Sequence, residues 1–209
     1  MLGVFALSML MSVTIQEAPA PPIPDMGIIR EEVEVEEVVD SENTVDVEPH
    51  EIVVQCEVFN VPDYPGKKSY MGYNLFGHNT KQYQLQNMAI TDANGFRRVT
   101  DRYCIAIGSY FNPHIGQYAD LVLDNGIVIP CVIGDVKADK DTDDQNIFSH
   151  NGCCSEFLVD MAKLKHEVKV SGDVSSLTYE WQPRVRMVVM YELNAFDIER
   201  GIYEVSDNF

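Results

Sequence analysis

Residues 117–160, QYADLVLDNGIVIPCVIGDVKADKDTDDQNIFSHNGCCSEFLVD, decide how the chain is read. Two apolar runs meet at Asp124-Asn125-Gly126. Asn-Gly between β-branched runs is a strong hairpin signal, because both residue types accept positive φ. The second run, 127–133, leads into Gly134-Asp135-Val136-Lys137-Ala138-Asp139 and then a loop holding Asp141, Asp143 and Asp144. A third strand pattern follows at 155–160, where alternation puts Glu156, Leu158 and Asp160 on one face. Carboxylates therefore stand at the end of one strand and within the face of another. Strand stability alone does not call for them there.

Working outward, the same strand chemistry recurs. Residues 52–59 (IVVQCEVF), 96–99, 102–108 (RYCIAIG), 167–170 and 184–193 (RVRMVVMYEL) all read as short strands rich in β-branched residues. Residues 60–79 are full of Gly, Pro, Asn and Tyr and read as irregular surface. Residues 80–89 read as one or two helical turns, 161–166 as a single turn, and 196–209 as a tail. Many short strands at roughly even spacing, with brief helices, predict a mainly β domain closed as a small barrel.

The composition bounds the rest. The chain has 209 residues, 45% of them hydrophobic, which is enough for one domain with a core over residues 52–195. The net charge is −18, and between positions 17 and 51 there are twelve acidic residues and one basic, Arg30. Without a basic stripe to neutralise phosphates, nucleic acid is excluded as a partner, as is electrostatic docking on anionic lipid. Residues 1–16 are apolar, too short to span a bilayer, and read as the core of an export signal or an anchor remnant. No Lys or Arg precedes that run, and Ala18-Pro19-Ala20 lies nearby. Residues 17–51, proline-rich and then EEVEVEEVV, read as a self-repelling acidic linker.

Other constellations carry less. Asp139, Asp141, Asp143 and Asp144 have the charge of a calcium loop but lack its turn glycine and terminal Glu, so they read as a solvated loop. Five cysteines without paired spacing exclude a zinc ribbon and a complete disulfide framework, and Cys104 and Cys131 read as core residues. His150 with Cys153 and Cys154 lacks a second ligand cluster, so no metal and no cofactor is expected. Tyr64, Tyr70, Tyr73, Phe76 and Trp181 either line a sugar groove or simply pack.

Taken together, YCIAIGSYF, IGQYADLVLDNGIVIPCVIGDVKAD and SEFLVD resemble the 3D domain, named for three aspartates, of Gram-positive stationary-phase survival proteins and their phages. That domain is related to the MltA-type lytic transglycosylases. The resemblance spans residues 87–193 and implies a six-stranded double-psi β-barrel, here with short helices and an extended N-terminal segment. In the family one strand delivers an Asp before a short loop, and the next carries an Asp within an apolar alternation. Asp135 takes the first position and Glu156 the second, where the family pattern has Asp. The glycine-rich loop of the transglycosylases is replaced by the longer acidic segment 137–151.

The resemblance implies cleavage of the β-1,4 bond after N-acetylmuramic acid in peptidoglycan without water. A carboxylic acid protonates the leaving oxygen, then takes a proton from the C6 hydroxyl as the 1,6-anhydro ring closes. Glu156 is the expected acid/base, and Asp135 the partner whose charge keeps it protonated. Lys137 shares the face of Asp135 and is expected to orient it or to bind substrate, with Asp143 and Asp139 as further substrate contacts. The expected location is extracellular, at the cell wall, or on a virion, with peptidoglycan strands as partner. Membrane anchoring or a virion contact through the N-terminal segment, and self-association, stay open. The rival reading is a phage structural or wall-binding protein that keeps the barrel without the chemistry.

Overall fold

The computed structural model describes residues 28–30 and 55–199. The apolar start and the tail beyond 199 lie outside the described residues, as does most of the acidic linker, including 31–39. The strands are β1 (Ile28–Arg30), β2 (Gln55–Asn60), β3 (Ser69–Gly72), β4 (Ile90–Thr91), β5 (Arg97–Val99), β6 (Arg102–Ile107), β7 (Gln117–Leu123), β8 (Val128–Val136), β9 (Ser155–Val159) and β10 (Val185–Asn194). Three short α-helices join them: α1 (Lys81–Met88), α2 (His166–Ser171) and α3 (Ala195–Glu199). The domain is mainly β.

The strands form one mixed sheet in the order β1-β2-β10-β7-β8-β6-β5-β4, with β9 also on β6 and β3 on β9. The sheet is not closed. In this it differs from the small closed barrel expected from strand spacing. β6 explains the branching, since β8 runs parallel along one of its edges, while its other edge takes β5 at Arg102–Tyr103 and β9 at Ile105–Ile107. β3 and β9 are also parallel.

Both faces of the central strands are covered, so their sequences read as continuous apolar runs instead of alternating ones. Ile105, Ile107, Ile133, Phe157 and Val159 point into one core with Leu121, Val188 and Phe111. Cys104, Ala106, Val132 and Leu158 point into the other, under Leu85 of α1, Ala89 just after that helix and Ala195 of α3. Every residue of β9 is buried, Glu156 included. Cys104 and Cys131 are core residues, as the apolar strands implied, and Cys153 and Cys154 are buried too.

Several elements depart from the sequence reading. The 124–126 turn is a hairpin, but only Gly126 has positive φ, at +82°. The Leu123 carbonyl accepts from the Gly126 N–H and the Leu123 N–H donates to the Ile127 carbonyl, the pattern of a longer loop with a glycine bulge. Residues 167–170, expected as a strand, lie in α2, which Gly172 caps by donating its N–H back to the Val168 carbonyl. The segment 60–79 contains β3, whose weak intrinsic preference is overridden by pairing with β9. Residues 80–89 do form a helix, with Thr80 Oγ1 accepting from the Tyr83 N–H as N-cap. The tail begins with α3, and Ile28–Arg30 of the linker segment pairs antiparallel with β2.

α1 is fixed from below by Arg97. Its guanidinium donates to the Gln86 side chain and to the Gln86 and Ala89 carbonyls, and lies 4.4 Å from the centre of the Tyr73 ring. A cation at carbonyls freed by a helix end is favourable in both charge and hydrogen bonding. This clamp holds α1 against the part of the sheet where the carboxylates lie.

Candidate functional site

The site begins with a β-bulge. Ile105 pairs with Ile133, but the next residue of β6, Ala106, pairs with Asp135, leaving Gly134 as the extra residue. Strict alternation from Ile133 would have put Asp135 in the same core as that isoleucine. The bulge turns it to the opposite face, beside Ala106. Gly134 fits tightly there: an added Cβ would stand 2.8 Å from Leu158 Cδ2, which would have to shift, and 3.4 Å from Cys104 Cβ.

On the other side of β6, Ala106 pairs with Glu156. Asp135, Ala106 and Glu156 thus form one row across β8, β6 and β9, continued by Ser69 of β3. Two strand spacings separate the carboxylate-bearing backbones, about 10 Å. Ala106, between them, is fully buried.

Each carboxylate has its own partners. Glu156 Oε2 is ion-paired with Lys137 Nζ, and both side chains are nearly buried, 11% and 12% exposed. Glu156 Oε1 accepts from Asn151 Nδ2 at 3.0 Å. Asp135 Oδ1 accepts from Gln82 Nε2 of α1 at 3.1 Å. Burial pushes the Asp135 carboxyl above its ordinary value of 3.8, and the Glu156 charge adds to the rise. The Gln82 amide, the Val136 N–H and Lys137 oppose it without cancelling it.

The structure thus brings together three of the residues singled out in the sequence, Asp135, Glu156 and Lys137. Lys137 follows Asp135 on the same face, as period-two counting implied, but its ion pair is with Glu156. Asp139 and Asp143 are engaged elsewhere. Asp139 Oδ1 accepts from Ser109 Oγ at 2.6 Å. Asp143 Oδ1 accepts from the N–H groups of Ile147 and Phe148 at 2.8 and 3.1 Å, folding the acidic loop on itself. Among the described residues no group of three His, Cys, Asp or Glu is placed to hold a metal.

Sequence reasoning missed Gln82 and Asn151. Asn151 was read only as the end of the acidic segment 137–151, and nothing there announced a hydrogen bond to a carboxylate five residues on. The aromatic residues resolve as packing: Tyr64, Tyr70 and Trp181 against one core, Tyr73 and Phe76 against the other. Trp181 stacks on Phe157 with ring centres 5.6 Å apart.

Comparison of the chain with family models, with curated proteins and with solved structures finds no match. Among the described residues no helix is long and apolar enough to cross a membrane. One carboxyl of the row is biased by burial toward its neutral form. The other is ion-paired with Lys137 and accepts from the Asn151 amide.

Proposed function

We propose that the protein is a peptidoglycan lytic transglycosylase that cleaves the MurNAc-GlcNAc bond with a 1,6-anhydro product, and that Asp135 is its acid/base. The alignment of Asp135 with Glu156 across Ala106 carries this reading. It gives a sugar ring two carboxyl groups, one raised by burial and the other ion-paired, and glycosidic cleavage uses a pair of carboxyl groups in unlike surroundings.

The roles are exchanged relative to those the sequence resemblance implied. Glu156 is occupied on both oxygens, by Lys137 and Asn151. Asp135 is the carboxyl whose neutral form burial favours. On this reading Asp135 protonates the glycosidic oxygen and then, as carboxylate, removes the C6 hydroxyl proton. Glu156 faces the positive character that develops at the sugar ring, and Lys137 holds it in place. The parallel pairs β6–β8 and β3–β9 are the feature that supports relating this open sheet to the double-psi arrangement. The site of action is the cell wall, reached by export or on a virion.

The second reading, a wall-binding or virion structural protein without chemistry, is favoured by the same occupied Glu156. Digesting purified peptidoglycan with the full chain separates the two. Muropeptides with anhydro ends, absent with Asp135→Asn, support the transglycosylase. Products one water heavier identify a hydrolase on the same residues. Sedimentation with the wall and no soluble product supports the binding protein.

A further inference from the structure

We propose that Lys137 and Asn151 become joined by an intramolecular isopeptide bond, with Glu156 as the proton carrier. The inference does not depend on the glycan-cleaving reading, and once the bond has formed its amide N–H, in place of the ammonium, is the group left to hold Glu156.

The observations are the two contacts of one carboxylate and the fixation of the amide. Glu156 Oε2 holds Lys137 Nζ, and Glu156 Oε1 holds Asn151 Nδ2. A nucleophile and the nitrogen that must leave are thus held on the two oxygens of a single acid/base. The Asn151 carbonyl is polarised as well, because Oδ1 accepts from the Cys153 N–H at 3.1 Å. That N–H is placed where an oxyanion donor is needed as negative charge collects on Oδ1. Lys137 and Glu156 are nearly buried, so water competes little for the amine, whereas Asn151 is exposed at the loop tip and its nitrogen has a way out.

The step balances within the protein. A proton passes from Lys137 Nζ to Glu156 Oε2, and the free amine attacks Asn151 Cγ, forming the Nζ–Cγ bond. Glu156 delivers a proton to Nδ2 as the Cγ–Nδ2 bond breaks, and ammonia departs. The second proton lost by Nζ rests on Glu156 until the ammonia carries it off as ammonium, restoring the carboxylate. No oxidant or other reactant is required. The bond would tie the tip of the acidic loop to the end of β8 beside the carboxylate row.

The test is the intact mass of the purified full chain after incubation in native buffer, beside Lys137→Arg and Glu156→Gln. The wild type is expected to be lighter than its sequence by one ammonia and to yield a branched peptide joining Lys137 to Asn151 on proteolysis. Both variants are expected to keep their full mass, with circular dichroism showing that they fold. Arginine retains the cation, so Lys137→Arg removes the nucleophile with the least disturbance. Succinimide formation at Asn151-Gly152 also releases ammonia, but it persists in Lys137→Arg. A wild type of full mass, or an ammonia loss that survives Lys137→Arg, overturns the proposal.

Discussion

At the scale of the residue, Asp135 and Glu156 differ because of what touches them. Asp135 is half-buried against one amide, and its folded-state carboxyl is raised above 3.8. A carboxyl raised by folding costs stability once the pH exceeds its unfolded value, and the cost vanishes as the pH falls below that value. Asp135→Asn should therefore leave the protein as stable as wild type or more so at pH 7, with the difference disappearing toward pH 3 (about one unit below the ordinary value). Urea unfolding at the two pH values checks this. A variant less stable at pH 7 would contradict it. Lys137→Met should act the other way. It strands a nearly buried carboxylate, a change that typically costs about 3 kcal/mol, and a urea midpoint unchanged from wild type would count against a structural ion pair.

At the scale of the element, the bulge in β8 decides the site. Gly134→Ala would press a methyl group 2.8 Å from Leu158 Cδ2. Overpacking of this kind costs about 1–3 kcal/mol, and relief by removing the bulge would turn Asp135 away from Ala106. The variant is expected to lose thermal stability and any activity together, and a fully active Gly134→Ala would show that the bulge does not set the geometry. The same bulge marks where sequence reading stopped. The strands 102–107, 117–123, 128–136 and 155–159 were legible from β-branched runs and from the turn at 124–126. Asp135 and Glu156 were expected together from the family resemblance, but their row across Ala106 was not legible, because Gly-Asp after an apolar run reads equally as a strand ending in a turn. Asn151 and Gln82 were illegible for a related reason: they reach the site only once a loop and a helix have packed. Residues 167–170 of α2 were mistaken for a strand because the short run alternates, and the cap at Gly172 was not read.

At the scale of the whole molecule, a second buried charge ties the sheet to its cover. Lys68 is fully buried, and its ammonium donates to the carbonyls of Gly66, Trp181 and Pro183 and to Ser175 Oγ. It thereby anchors the segment that brings Trp181 onto Phe157. Burial lowers its amine from 10.5 to about 8. A lysine depressed by folding costs stability below the folded value and is relieved as the pH rises through the window from about 8 to 10.5. Relative to Lys68→Met, the wild type should therefore gain stability across that window. Thermal melts of both proteins at pH 7 and pH 10 (roughly the ends of the window) check the sign. A wild type that loses ground to the variant as the pH rises would contradict it.

The division of labour between the two carboxylates is tested most directly by titrating the side-chain carboxyl carbons by NMR, with Asp135 and Glu156 assigned through Asp135→Asn and Glu156→Gln. The account predicts that Asp135 titrates above the ordinary aspartate range in the wild type and moves down when Glu156→Gln removes the neighbouring negative charge. An Asp135 that titrates at or below the ordinary range would remove it as the proton donor, and with it the assignment of roles proposed for this site.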